Sequence, residues 1–232
     1  MPTAPALVGK LAEFAAGRRA EVLAVDHVAP GCLELTLRAD PPPGGWQPGH
    51  EVQFRVTRTK GRRYTVRAAG PTNPEHIAIL AAADANGPGT RWLSRLRVGE
   101  TVTAIAGRHR PLRGSGARRL YLGDGSALGT IDACARDADS IGVIETRPDA
   151  VAELSRTWPR FLFLAATDTP GGAALAWLTG AEPAVFGRVD GAVLLGHAQT
   201  IPRQRRILLD RALFPRQAIA VRPYWADGKE GL

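Results

Sequence analysis

The amino-acid sequence predicts two domains in series, a six-stranded antiparallel β-barrel followed by an α/β domain built on a parallel sheet. Three observations predict it. The 232 residues exceed what one ordinary domain needs and suit two of about 100–120. Up to residue 106 the apolar residues alternate in short runs broken by proline and glycine, the pattern of half-buried strands. Beyond residue 117 short apolar runs take turns with stretches of helical period, the rhythm of parallel strands joined by helical crossovers.

Leu7, Val8, Leu11 and Phe14 recur at helical spacing, so residues 1–17 read as a short amphipathic helix docked on the body. That stretch lacks the basic start, apolar centre and small-residue cleavage site of a signal peptide. The barrel domain is expected over 18–112, with strands at 20–28, 33–39, 51–57, 64–68, 76–82 and 101–106. Turn chemistry separates them at Pro30-Gly31, Pro41 to Gly45, Pro48-Gly49 and Gly70-Pro71. One helix, 90–96, interrupts the fifth and sixth strands. Pro111 to Gly116 reads as a linker, and the second domain as 117–232. Its strands are expected at 120–122, 140–145, 161–165, 192–195 and 218–223, with helices at 127–136, 151–158, 173–178 and 201–212.

Apolar residues make up 44% of the chain, enough for packed cores. No apolar run approaches the roughly 20 residues of a membrane span. The two cysteines, Cys32 and Cys134, fall in different expected domains, which suits buried thiols in a reducing cytoplasm rather than a disulfide framework. The net charge of +8 favours anionic partners. Its arginines are scattered, however, and no nucleic-acid-binding motif accompanies them.

The sharpest segment is Arg62-Arg63-Tyr64-Thr65-Val66-Arg67. Side chains of a strand alternate, so Arg62 and Tyr64 share a face that can offer a guanidinium to a pyrophosphate and an aromatic ring to a flavin. Thr65 adds a hydroxyl or backbone contact. Gly87-Pro88-Gly89-Thr90-Arg91-Trp92 follows, a glycine-rich turn entering a helix, where free N–H groups suit phosphate and Thr90 is placed to cap.

Together these segments resemble the ferredoxin-reductase-type flavoproteins and, more narrowly, the siderophore-interacting family of FAD-binding ferric-siderophore reductases. Trp46-Gln47-Pro48-Gly49-His50 also resembles that family's barrel. In the second domain Gly123-Asp124-Gly125-Ser126-Ala127-Leu128 resembles the turn after its first strand. Gly196 to Ile201, with Arg205-Arg206, resembles its last crossover, and Tyr224-Trp225 with Gly228-Lys229 its terminal element. The resemblance runs in order through roughly residues 18–230. It implies a six-stranded FAD-binding barrel and a parallel-sheet, nucleotide-binding-like domain. Arg62, Tyr64, Thr65 and Val66 would hold the flavin and pyrophosphate, and Gly87, Gly89 and Thr90 the phosphates. NAD(P)H, as co-substrate, would dock at Gly123, Asp124, Ser126 and Ala127. A ferric siderophore would be reduced and its iron released, with Arg63 and Lys229 attracting the anionic complex. The resemblance also leaves room for an electron-donor protein as partner. Two further functions are consistent with the same scaffold: a flavin reductase or oxygenase electron-transfer component, and a non-catalytic flavin- or siderophore-binding module.

Other chemistries find little footing. His27, His50, His76, His109 and His197 are dispersed without metal-ligand spacing. Ser126 does not sit in a nucleophile elbow, and the second domain has no G-x-G-x-x-G. Glu145 and Arg147 end a strand where a ribose is recognised in other α/β folds, but read better as surface residues.

Overall fold

The computed structural model describes residues 17–70, 72–84, 87–106 and 118–229. The expected linker at Pro111 to Gly116 and all but Gly17 of the expected N-terminal helix lie outside them, and Gly17 is the first residue of strand β1. By its internal contacts the chain divides into two compact units, Met1–His27 with Cys32–Arg110, and Pro111–Leu232 with Val28–Gly31.

The first unit is a closed antiparallel barrel of β1 (Gly17–Ala29), β2 (Cys32–Ala39), β3 (Glu51–Arg55), β4 (Gly61–Ala69), β5 (His76–Ala82) and β6 (Thr101–Ala106), in the order β1-β2-β5-β4-β3-β6. Closure comes from β1 pairing with β6, Gly17 opposite Ile105 and Glu21 opposite Thr101. It leaves no open sheet edge. The alternation read from the sequence is the inside–outside alternation of the barrel. Leu35, Leu37, Val52, Phe54, Val66, Ile77 and Ile79 point inward and are almost wholly enclosed. The buried Trp46 indole donates to the Ala39 carbonyl at 2.9 Å and pins the turn between β2 and β3 against the barrel. One short helix, α1 (Pro88–Leu93), sits between β5 and β6. It starts two residues earlier than the sequence suggests, because Pro88 takes the first helical position, where its missing N–H costs nothing.

The second unit is a parallel sheet of β7 (Leu120–Asp124), β8 (Ile141–Thr146), β9 (Phe161–Ala165), β10 (Ala192–His197) and β11 (Ile219–Trp225), ordered β11-β10-β7-β8-β9. The connecting helices are α2 (Leu128–Cys134), α3 (Val151–Thr157), α4 (Gly172–Gly180) and α5 (Ile201–Asp210). The central strands β7 and β10 are buried along nearly their whole length, as expected of parallel strands covered on both faces. Helix α2 is shorter than its helical period implies: Ala127 belongs to a 3₁₀ turn, Gly125–Ala127, and at the far end Ala135 leaves helical geometry with ψ of 62°. Helix α5 stops at Asp210, and just beyond it Ala212 takes a left-handed conformation with φ of 52°. The chain lays down β7, β8 and β9 in one direction, then returns to add β10 and β11 on the other side of β7. That reversal puts the topological switch point between the C-terminal ends of β7 and β10, where open α/β sheets bind their ligands. No described helix is long and apolar enough to cross a membrane.

Candidate functional site

In the barrel the candidate site is built on the β3–β4 pair. Val52 lies opposite Tyr64, and Phe54 opposite Arg62. Residues directly opposite share a face, so Arg62 and Tyr64 project to the side of the enclosed Val52 and Phe54. Tyr64 completes an aromatic trio: its ring centroid lies 6.0 Å from Phe54 and 6.2 Å from Trp92 of α1, while Phe54 and Trp92 stack at 5.3 Å. Burial pushes the Tyr64 phenol up to about 12, against the smaller opposing pull of Arg62, so it remains a neutral O–H donor. The Arg62 guanidinium donates to the Gly61 carbonyl at 2.8 Å.

Gly89 brings α1 against this face. A Cβ there would stand 3.1 Å from the Tyr64 hydroxyl and 3.3 Å from Arg62 Cγ, whereas one on Gly87 would meet nothing within 4 Å. Arg62, Tyr64 and Gly89, noted separately in the sequence, thus share one locality. Three other expectations take a different form. Thr65 pairs with Glu51 on the opposite face of β4 from Arg62 and Tyr64. Val66 is enclosed in the core, and its N–H and carbonyl are taken by His50 and Gly49 at 2.8 Å each, so no main-chain group of Val66 is left over. Thr90 is not the helix cap: Gly87 is, with no side-chain cap bond, and Thr90 lies inside the first turn. Arg63 is exposed and donates to Gln53 Oε1 at 3.2 Å.

At the switch point of the second unit, a knot of polar and aromatic side chains closes over the ends of β7, β10 and β11. Asp124, the last residue of β7, accepts from the Ser126 N–H at 2.9 Å and also from the Ser126 hydroxyl, both through Oδ1. Its Oδ2 accepts from the Trp225 indole N–H at 2.8 Å, and the carboxylate also receives the His197 backbone N–H. Burial nonetheless holds the Asp124 carboxyl above the usual carboxylate range. Gly196 has φ of 94° in β10, and any side chain there would collide with Asp124, its Cβ only 2.2 Å from Oδ2. Glycine alone meets both the backbone angle and the close approach. Gly123 is as tightly used, with a Cβ placed 2.8 Å from that of Ala127.

Trp225 and the buried His197 are register partners on β11 and β10, and their rings stack at 4.2 Å and 26°. His197 Nδ1 and the Thr200 hydroxyl lie 2.7 Å apart, and that hydroxyl donates onward to the Pro170 carbonyl at 2.8 Å. Tyr224 reaches Thr130 of α2 through their hydroxyls at 2.8 Å. Lys229 is exposed at the end of this segment.

Glu145 corrects a reading of the sequence. It is only 5% exposed, and it is no surface residue. Its Oε1 accepts from the Gly171 N–H at 2.7 Å and its Oε2 from the Ala174 N–H at 3.0 Å, across the N-terminus of α4. Arg147, by contrast, is exposed and forms a two-bond pair with Asp149, at 2.8 and 2.7 Å. Sequence reasoning also missed Phe54, Trp92 and His197 as partners of the site residues. Phe54 fell in an expected strand, Trp92 in the expected helix and His197 just past an expected strand, and nothing in that placement pairs them with the site residues. Among the described residues no three His, Cys, Asp or Glu side chains gather as a metal site.

No family model matches the chain, and no curated protein matches it. Solved structures do. The siderophore-interacting protein of Acinetobacter baumannii superposes with a TM-score of 0.73 at 15% identity, covering 91% of each chain. The siderophore-interacting protein SipS of Aeromonas hydrophila gives 0.68 at 18% identity over 92% of this chain and 93% of its own. A ferredoxin reductase of carbazole 1,9a-dioxygenase gives 0.68 at 21% identity, over 90% of this chain and 70% of its own. The chain therefore has the two-domain fold shared by siderophore-interacting proteins and ferredoxin-reductase-like proteins.

Proposed function

We propose that the chain is an FAD-dependent oxidoreductase that reduces ferric siderophores, with electrons drawn from NAD(P)H or another donor through the flavin. The observation that carries this is the meeting of Arg62, Tyr64 and Gly89 on one face of a closed six-stranded barrel. The residues fit the cofactor. Arg62 supplies a planar fork suited to pyrophosphate oxygens. Tyr64, held neutral by burial, supplies a hydroxyl donor. Gly87 leaves its backbone open to close approach, and Gly89 lets α1 sit against Arg62 and Tyr64.

FAD, when bound, supplies the conversion between two-electron and one-electron transfer. The chain's part is to hold it. Arg62 anchors the pyrophosphate, Tyr64 is kept in place by Phe54 and Trp92, and Gly89 fixes how near α1 can come. Arg63 and Lys229, both exposed, attract an anionic ferric complex. A siderophore's hard oxygen ligands prefer ferric to ferrous iron, so one electron per iron loosens the complex. The reaction belongs in the reducing cytoplasm, in keeping with two free, buried cysteines.

An oxygenase electron-transfer role is the second reading, favoured by the fold shared with the ferredoxin reductase of carbazole 1,9a-dioxygenase. Anaerobic absorbance tests both. A flavin band that bleaches with NADPH or NADH and returns on adding a ferric hydroxamate siderophore supports siderophore reduction. A band that bleaches but reoxidises only with a protein acceptor supports the second reading. No flavin band after reconstitution with FAD rejects both.

A further inference from the structure

We infer that one rim of the barrel is a docking surface for an anionic lipid membrane, formed by the turn between β3 and β4, the arginines after α1, and the valine at the apex of the turn before β6. The inference goes beyond the redox reading and does not depend on which donor or acceptor the flavin serves.

Three observations lead to it. The first is where the charge lies. Arginines are scattered along the chain, but their excess over acids is not. Residues 52–74 contain six Lys or Arg and no Asp or Glu, and residues 87–99 add three arginines and again no acid. These cations alone exceed the net charge of +8 for the whole chain, so the rest of the protein is close to neutral. Arg62 is assigned to FAD and Arg63 to the ferric complex, and Arg67 pairs with Glu34 at 3.0 Å. The others have no part in that site. The second observation is convergence. β3 and β6 are antiparallel, with Val52 opposite Ala106 and Phe54 opposite Ala104. The turn that follows β3 and the turn that precedes β6 therefore leave the barrel at the same rim, and the stack of Trp92 on Phe54 brings α1 to β3. Arg58 of the first turn, and Arg95 and Arg97 after α1, are exposed.

The third is the form of the two turns, both closed by their own atoms. In the first, the Thr57 hydroxyl accepts the Thr59 and Lys60 N–H groups at 3.3 and 3.1 Å, and the Arg55 guanidinium donates to the Arg58 carbonyl. In the second, the Glu100 N–H donates to the Arg97 carbonyl at 3.0 Å and the Glu100 carboxylate takes the Arg97 N–H at 3.1 Å, with Gly99 at φ of 83°. The one acid of that turn is thus folded back on its own main chain. Val98 stands at the apex and is 67% exposed, more than any other large hydrophobic residue described. An exposed valine is ordinary by itself. At the tip of a fixed turn, with Arg95 and Arg97 beside it in the chain, it suits an interface where cations meet phosphate headgroups and an apolar tip meets the acyl boundary. Against the phosphates of a nucleic acid the valine adds nothing.

The test is sedimentation of the full chain with vesicles of phosphatidylglycerol and phosphatidylcholine in equal parts, and with phosphatidylcholine alone. It compares wild type, the double variant Arg58→Ser with Arg95→Ser, and Val98→Ser. Wild type is expected to sediment with the anionic vesicles at about 0.1 M salt and to leave them near about 1 M, where the Debye length falls to about 3 Å. The double variant should bind about fivefold more weakly for each cation removed. Val98→Ser keeps every charge and should bind at least about threefold more weakly, because its side chain no longer gains from leaving water. Wild type that stays in solution with anionic vesicles at low salt, or that binds phosphatidylcholine alone as tightly, overturns the inference. That comparison decides it should a variant fail to fold. Weaker binding by the double variant with none by Val98→Ser makes the rim a plain polyanion site, as for nucleic acid, and overturns the lipid assignment.

Discussion

Replacing Glu145 with Gln tests whether the acid at the end of β8 works for the fold or for a ligand. Both carboxylate oxygens accept main-chain N–H groups, from Gly171 at 2.7 Å and Ala174 at 3.0 Å. Helix α4 has no other side-chain cap, since its N-cap is Gly171 in a left-handed conformation with φ of 76°. A glutamine keeps one oxygen but turns an NH₂ toward the second N–H, leaving two donors facing each other in a site only 5% exposed. A buried donor stripped of its acceptor costs about 1–3 kcal/mol, and loss of a negative charge beside a helix N-terminus adds about 0.3–1 kcal/mol. For a unit of this size each kcal/mol lowers the midpoint by roughly 4 °C. Calorimetry of the full chain is thus expected to show the transition of the second unit about 5–16 °C lower, while its affinity for NADPH and NADH changes less than about twofold. A transition within about 1 °C of wild type, with nucleotide affinity lost, would falsify the capping role and restore Glu145 as a ribose ligand.

Gly89→Ala sets a helix-propensity gain of about 1 kcal/mol against a Cβ 3.1 Å from the Tyr64 hydroxyl. Thermal stability should stay within about 1 kcal/mol of wild type while FAD affinity, read by flavin fluorescence in apoprotein titrations, falls roughly tenfold as Tyr64 and Arg62 are displaced. Burial raises the Asp124 carboxyl above its unfolded value, so its stabilising contribution is complete below about pH 4 and fades as pH rises through the folded value. The stability of wild type minus that of Asp124→Asn should therefore decrease with rising pH, by at most about 1.4 kcal/mol per pH unit, and an increase would reverse the sign of the argument. Burial pushes the Cys32 thiol up to about 12, so iodoacetamide at pH 8 should label Cys32 only after denaturant is added, and labelling of the native protein within minutes would contradict its burial.

The barrel was legible because its physics is local. Closing six short strands requires one face of each to be apolar, and that demand writes itself as alternation in β2, β3 and β5. The same period placed Arg62 and Tyr64 together without any knowledge of what lay opposite. What alternation leaves out is identity across the sheet. That Tyr64 meets Phe54 and Trp92 depends on the β3–β4 register and on where α1 lands, contacts reaching 38 positions away in sequence from Phe54 to Trp92. The Thr90 cap failed for a local reason: Pro88 fixes the start of α1 two residues early, which moves Thr90 from the boundary into the first turn.

In the second unit the strands and helices were equally plain, yet the polar residues at the strand ends were the harder part. A parallel sheet brings the C-terminal ends of its strands to one edge, where the main-chain N–H groups of the following helices also gather. Acids placed there satisfy a ligand or satisfy the backbone, and the sequence is the same in either case. Glu145 is spent on the N-terminus of α4, and Asp124 on Ser126, Trp225 and the His197 N–H. The difference between them lies in how they are held. Both oxygens of Glu145 are bound by backbone that cannot leave without undoing a helix, whereas one oxygen of Asp124 is bound by the Trp225 indole, a side-chain donor. An acid bound by main chain is architecture. One bound by side chains as well, as Asp124 is by Ser126 and Trp225, can lose a partner to a substitution without loss of a helix.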